Sequence, residues 1–239
     1  MRINKKTARV AGLLYLTIII AGIFAEFFVR QSLIVPGDAA TTASNIMASE
    51  GLFRLGIAAD LVMIVTDVAL ALVLYILLRP VSRALSMLAA FFRLTQAAFL
   101  GVNLLNLFFG LQFVRSADYL AVFGTGQSQA MALLFFRTHA TGYALALVFF
   151  AASLLLLGYL VFKSDYFPGI LGILLIIASA GYLADSFARV LLPTYGNYEA
   201  IFTLVVFLPA FIGELAFTLW LLLKGVNLHK MQLRPGHAY

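Results

Sequence analysis

Six stretches of this chain, residues 8–29, 55–78, 84–113, 138–162, 169–187 and 200–223, are almost continuously apolar over about twenty residues or more. That is the length an α-helix needs to cross about 30 Å of hydrocarbon at a rise of 1.5 Å per residue. Inside a bilayer every backbone N–H and C=O must be satisfied within the protein, which leaves helices or a closed barrel. The runs are continuous rather than alternating, so they do not read as barrel strands. The expected fold is all-α, a polytopic transmembrane bundle of six helices.

Composition points the same way. Of 239 residues, 63% are hydrophobic and 11% charged, against about 45–50% and about 25% in ordinary soluble domains. Too little polar surface is left to cover a compact particle in water, which excludes the soluble globular, disordered and collagenous classes. With no cysteine, disulfides, thiolate metal ligands and thiol nucleophiles are excluded together. The net charge of +6 does not indicate nucleic acid. Its basic residues sit at the ends of apolar segments rather than in one patch interleaved with aromatics.

Those ends orient the bundle. The first segment follows Arg2, Lys5, Lys6 and Arg9. Its apolar stretch is longer than a signal-peptide core, and Ile23-Phe24-Ala25 is a poor cleavage site, so an uncleaved first span is expected. With the N-terminus inside, ten of the sixteen Lys and Arg, every lysine among them, fall at cytoplasmic ends. Arg30, Arg54, Arg115, Arg137 and Arg189 fall at outer ends, and Arg93 lies within a span. The positive-inside rule then places both termini in the cytoplasm.

The inner turns at 79–83 and 163–168 are short, so the spans on either side of each should be antiparallel neighbours. Outside, residues 30–54 and 114–137 read as longer loops. The first holds Pro36-Gly37-Asp38, a turn with a candidate N-cap, before a helix-compatible stretch at 39–49. The second holds Gly124-Thr125-Gly126. The two loops either roof an outward-facing cavity or serve as solvated connectors. No internal repeat or soluble domain interrupts the chain, which reads as a single transmembrane domain over 1–239. The tail at 224–239, with Lys230 and Arg234, reads as a surface segment beside anionic lipid.

Charged groups deep in a bilayer cost about 2.5–3.5 kcal/mol each on insertion scales, so their positions carry information. Asp60 and Asp67 are seven residues apart and fall within about 20° of each other around a helix, on the side of Gly56. In the third span Gln96, Asn103, Asn106 and Gly110 form a polar seam with Arg93 at its margin. Lipid cannot satisfy amides, so the seam should face protein. Counting outward from the inner turn puts Asp67 level with Arg93 and predicts an ion pair. It also puts Asp60 opposite Asn103 or its neighbours. Glu214 falls about 21 Å into the last span, on the side of Thr203, Phe207 and Thr218, as a second acid to share Arg93. In the fifth span Ser179, Tyr182, Ser186 and Arg189 are broadly co-facial, and Asp185 precedes Arg189 by one turn. Tyr143 falls level with Arg189, and His139 lies one turn further out. Asp60, His139, Tyr143, Asp185 and Arg189 are therefore the candidate outer site, with Asp67, Arg93, Asn103 and Glu214 as deeper ligand-binding candidates. Every one of these has a structural alternative: ion pairs and amides that pin helices use the same residue types, and Tyr143 and Trp220 suit membrane interfaces.

The strings Ala8-Arg9-Val10-Ala11-Gly12-Leu13-Leu14-Tyr15, Leu33-Ile34-Val35-Pro36-Gly37-Asp38, Phe53-Arg54-Leu55-Gly56, Phe91-Phe92-Arg93 and Gly213-Glu214-Leu215-Ala216-Phe217-Thr218-Leu219-Trp220, continuing to Val226, resemble a bacterial membrane family catalogued as domain of unknown function 4386, over nearly the whole chain. The resemblance implies a multi-pass protein of the bacterial cytoplasmic membrane and supplies no catalytic residues.

Motifs of known chemistry are absent from the sequence: no phosphate-binding glycine loop, no His-Glu-x-x-His and no Gly-x-Ser-x-Gly. His139 is the lone histidine outside the tail, which holds His229 and His237, so neither a histidine zinc site nor a bis-histidine haem is expected. No cofactor is expected. Membrane lipids are the expected partners, with a small amphiphilic ligand as a further one and no nucleic acid; nothing in the chain sets an oligomeric state. Three functions fit. The first binds or transports an amphiphilic or anionic small molecule through an outward-facing polar pocket, with Arg54, Arg137 and Arg189 at its mouth. The second is an intramembrane lipid-modifying enzyme using His139 or Asp60 as base and Arg189 to hold the head group. The third is a non-catalytic scaffold or sensor. The first lacks the repeats and paired broken helices common in transporters; Pro209 is the one proline deep in a span.

Overall fold

The computed structural model describes residues 3–227, apart from the side chains at 199, 200, 203 and 207. The expected neighbours of Glu214 at 203 and 207, and the tail with His229, Lys230, Arg234 and His237, lie outside the described side chains. The chain is all-α, with no strand among the described residues. Helix α1 (Lys5–Ile23) passes into a π-helical segment, Phe24–Arg30, and a last turn, α2 (Gln31–Leu33). There follow α3 (Ala39–Ala48), α4 (Glu50–Leu78), α5 (Arg83–Arg115), α6 (Ala117–Phe123) and α7 (Thr125–Lys163). Helix α8 (Gly169–Leu191), a 3-10 turn at Tyr195–Asn197 and α9 (Glu199–Leu223) complete the fold. Among the described residues six helices are long and apolar enough to cross a membrane: Lys5–Leu33, α4, α5, α7, α8 and Leu204–Leu223 within α9.

Each long helix divides by face. On α4 the buried positions Phe53, Gly56, Ile57, Asp60, Met63, Asp67 and Leu70 recur every three or four residues. Leu55, Leu61, Val62, Val65, Val68 and Leu72 are exposed on the other side. A helix that turns its two acids, Asp60 and Asp67, inward and exposes apolar side chains departs from the soluble pattern in the way a membrane-spanning helix does.

The connections are more helical than the sequence reading of two loops. Residues 114–137 are almost entirely α6 and the first three turns of α7, with Gly124 at positive φ between them. Helix α7 starts as early as Thr125 because Ser128, Ala132, Leu133 and Phe136 continue its buried stripe. Residues 39–48 form α3 as the turn and cap indicate. The Asp38 side chain accepts from the Thr41 N–H at 2.9 Å and from its hydroxyl at 2.7 Å, satisfying a donor that a helix start leaves open. The bond from the Thr41 amide, joined by its hydroxyl, holds the Asp38 carboxyl below the usual carboxylate range.

The chain divides into two compact units. The first comprises residues 1–17, 66–97 and 144–239, the second 18–65 and 98–143. In the first unit α8 and α9 pack along their lengths. There α7 and α8 approach so closely at Gly158 and Gly172 that a Cβ at either would meet the other's carbonyl oxygen. In the second unit the core is Val29, Leu33, Ile46, Phe53, Leu107 and Phe136 with their neighbours. There α3 contributes the fully buried Ile46.

Candidate functional site

In the first unit α4 and α5, joined by a short turn, bring Asp67 and Arg93 together as the helix count requires. Arg93 Nε lies 2.5 Å from Asp67 Oδ1, and the two side chains are 1% and 4% exposed. The guanidinium also lies over the rings of Tyr15 and Phe150, 5.2 and 5.1 Å from their centroids, where the negative ring faces attract it. Only one carboxylate oxygen and one nitrogen are used. Arg93 Nη1 and Nη2 and Asp67 Oδ2 are buried without a hydrogen-bond partner.

Glu214 forms no direct ion pair with Arg93, although the two side chains lie within electrostatic reach of each other. The Tyr15 hydroxyl donates to Glu214 Oε2 and the Tyr182 hydroxyl to its Oε1, each at 2.9 Å. Tyr15 bridges the two centres, its ring against Arg93 and its hydroxyl on Glu214. Beside Arg93 lies a cavity with room for about one water. Its lining is otherwise mostly apolar, including Ala71, Leu74, Leu157 and Leu160. Ser86 and Ser153 line it too, but their hydroxyls donate to the carbonyls of Tyr75 and Ala89.

Asp185 and Arg189 form a separate cluster in this unit. Arg189 Nε is 3.0 Å from Asp185 Oδ2, the Tyr195 hydroxyl donates to Asp185 Oδ1, and the guanidinium lies 4.4 Å from the Tyr195 ring centroid.

The second unit holds a centre that the sequence reading missed. Arg30, assigned to an outer end, is buried: its Nη1 lies 2.5 Å from Asp60 Oδ2 and its Nε 2.8 Å from Glu26 Oε2. The Glu26 to Arg30 spacing was the available signal. The π-helical stretch, whose Gln31 N–H bonds back to the Glu26 carbonyl, sets which way Arg30 turns. Asp60 is thus paired with Arg30. Asn103 donates to the His139 carbonyl at 2.9 Å and accepts from Asn106 at 3.0 Å, an interhelical tie between α5 and α7. Tyr143 presents its ring to Arg30 at 5.8 Å, and buried His139 lies beside it with ring centroids 6.1 Å apart. Arg30 Nη2 and Asp60 Oδ1 are buried without partners.

The expected outer site therefore resolves into Asp60, Tyr143 and His139 in one unit and Asp185 and Arg189 in the other. Of the arginines expected at its mouth, Arg54 pairs with Glu50 at 2.7 Å, Arg189 with Asp185, and Arg137 is exposed. Among the described residues no three His, Cys, Asp or Glu side chains converge on a metal position.

The family model described as Domain of unknown function (DUF4386) matches residues 10–225. An uncharacterized protein of Archaeoglobus fulgidus is 34% identical over 173 residues, covering 72% of this chain and 85% of that protein. No solved structure matches.

Proposed function

We propose, for a chain that belongs to the DUF4386 family, that it is a multi-pass membrane protein that binds, and in doing so can carry, a small amphiphilic or anionic molecule, with Arg93 as its anchor. The observation that carries this reading is the guanidinium of Arg93, buried with both Nη groups unpartnered at the wall of a cavity. A purely structural ion pair is expected to close as a fork, two N–H groups on two carboxylate oxygens; this one leaves donors and an acceptor unused, at a cost of about 1–3 kcal/mol for each buried orphan. An occupant that meets those groups recovers the cost as binding energy. The basic residues at the helix ends support a cell-membrane location with both termini on the cytoplasmic side.

The test is extraction in a mild detergent, followed by native mass spectrometry and analysis of co-purifying small molecules. The wild type should retain a molecule that Arg93→Lys, which keeps the charge but loses the planar fork, does not. Equal retention by both, or none by the wild type, overturns the reading.

A further inference from the structure

The buried charges around Glu214 do not balance. Among the described residues the titratable and charged groups that face it are Tyr15 from α1, Asp67 from α4, Arg93 from α5 and Tyr182 from α8. Arg93 alone is a cation, and its Nε already goes to Asp67. Glu214, only 8% exposed, is left with two phenol oxygens, each 2.9 Å away. With both acids ionised the cluster carries an unmatched negative charge, and a buried carboxylate without a counter-charge is neutralised rather than kept desolvated. Two carboxyl and two phenol oxygens are fewer than the six or more that hard metal cations take, which leaves a proton. It fits the geometry: a phenol oxygen both donates and accepts, so one of the two bonds can reverse, the Glu214 O–H donating to a tyrosine oxygen with no heavy atom displaced.

The pair of helices α8 and α9 holds further groups able to pass a proton on. Ser186, one turn beyond Tyr182 on α8, and Thr218, one turn beyond Glu214 on α9, are 1% and 0% exposed, and their hydroxyl oxygens have no hydrogen-bond partner. Pro209 offers no N–H to the carbonyl of Val205, and that oxygen faces α8 at Gly181, the residue before Tyr182. Unmet polar groups in a buried interface are where ordered water is held. We propose that Glu214 carries an exchangeable proton between Tyr15 and Tyr182, and that the hydroxyls of Ser186 and Thr218 relay it along the α8–α9 interface. This goes beyond the reading of Arg93 as an anchor and does not rest on it; either can fail while the other stands.

The experiment uses the full chain in lipid nanodiscs and infrared difference spectroscopy. A protonated carboxylic acid shows a C=O stretch that ionised acids lack and that moves down in D2O. The wild type should show this band at neutral pH and Glu214→Gln should lose it. Tyr182→Phe, which removes one hydrogen bond from the carboxyl group, should raise its frequency. In Asp67→Asn the charges of Arg93 and Glu214 balance, so the band should vanish there too. Transfer to D2O should shift the wild-type band, and Ser186→Ala or Thr218→Val should slow that shift. No band in the wild type, or an unchanged band in Glu214→Gln, overturns the proposal. A band that both acid variants lose and Tyr182→Phe leaves unmoved puts the proton on Asp67 and overturns it as well. Exchange as fast in both hydroxyl variants as in the wild type overturns the relay. If either acid variant does not fold, the wild-type band and its response to Tyr182→Phe decide alone.

Discussion

Gly158 on α7 and Gly172 on α8 are in backbone contact: a Cβ at Gly172 would stand 2.5 Å from the Gly158 carbonyl oxygen and 2.5 Å from the Phe162 nitrogen. Neither obstacle is a side chain that can swing away. Membrane helices gain little from hydrophobic exclusion, so close approach through small residues is a main source of their association. Gly172→Ala should therefore cost about 1–3 kcal/mol, the usual penalty of overpacking. Gly101, also inside a helix but with nothing within 4 Å of its Cβ position, supplies the control. Gly101→Ala should be neutral or slightly stabilising, since alanine is the better helix former. Unfolding of the two variants in mixed micelles measures the contrast.

The Asp67 to Arg93 pair should be costly to break and only partly restored by exchange. Asp67→Asn or Arg93→Gln leaves a charge buried without its partner, at about 3–5 kcal/mol. Exchanging the residues, Asp67→Arg with Arg93→Asp, restores opposite charges. It also turns a carboxylate toward the faces of Tyr15 and Phe150, which attract a cation and repel an anion. Folded yield should rise above either single variant and stay below wild type. Full recovery would show that the aromatic sandwich contributes nothing.

The six helices and the inward polar stripes of α4 and α5 were legible in the sequence, because lipid tolerates neither open backbone nor unpaired amides. Asp67 and Arg93 met because a short turn fixes depth on both sides of a hairpin. What was not legible depends on rotation. Glu214 lies within electrostatic reach of Arg93 yet turns to the hydroxyls of Tyr15 and Tyr182. Arg30 turns inward because residues 24–30 are π-helical, a change of winding that the stretch Phe24 to Val29, apolar but for Glu26, does not announce. The first turns of α7 look like a loop because Gly124 stands before them and Gly126 within them, although Ala132 and Phe136 continue its buried stripe.

The cap of α3 gives a dependence on pH outside the spans. The bonds from Thr41 hold Asp38 below the usual carboxylate range, so the charged cap stabilises α3 at pH values above about 3.9, its ordinary value in an unfolded chain. That contribution is lost as pH falls through the depressed folded value. Hydrogen exchange at the Thr41 amide, corrected for intrinsic rates, should show protection constant near neutrality and falling in strong acid. Asp38→Asn keeps a capping oxygen without the titration, so its protection should lose that acid-dependent fall.

Two acids share Arg30 and differ in burial, which makes them a measure of what burial does to an ion pair within one site. The Glu26 side chain is 43% exposed and the Asp60 side chain 2%. The first acid is less desolvated than Asp60, and pairs with a partly exposed partner contribute less, about 0–1 kcal/mol where solvent reaches them. The second pair is desolvated at both ends, and removing its acid leaves Arg30 with only the exposed Glu26 and with more of its donors unmet. Asp60→Asn should therefore destabilise the protein by about 3 kcal/mol, toward the lower end for a broken buried pair because Glu26 remains. Glu26→Gln should cost no more than about 1 kcal/mol. In the double variant the loss should exceed the sum, since Arg30 then has no carboxylate in reach and the couplings of a shared partner are not additive. Equal losses for the two single variants would place Arg30 in a more solvated setting than its 9% side-chain exposure implies.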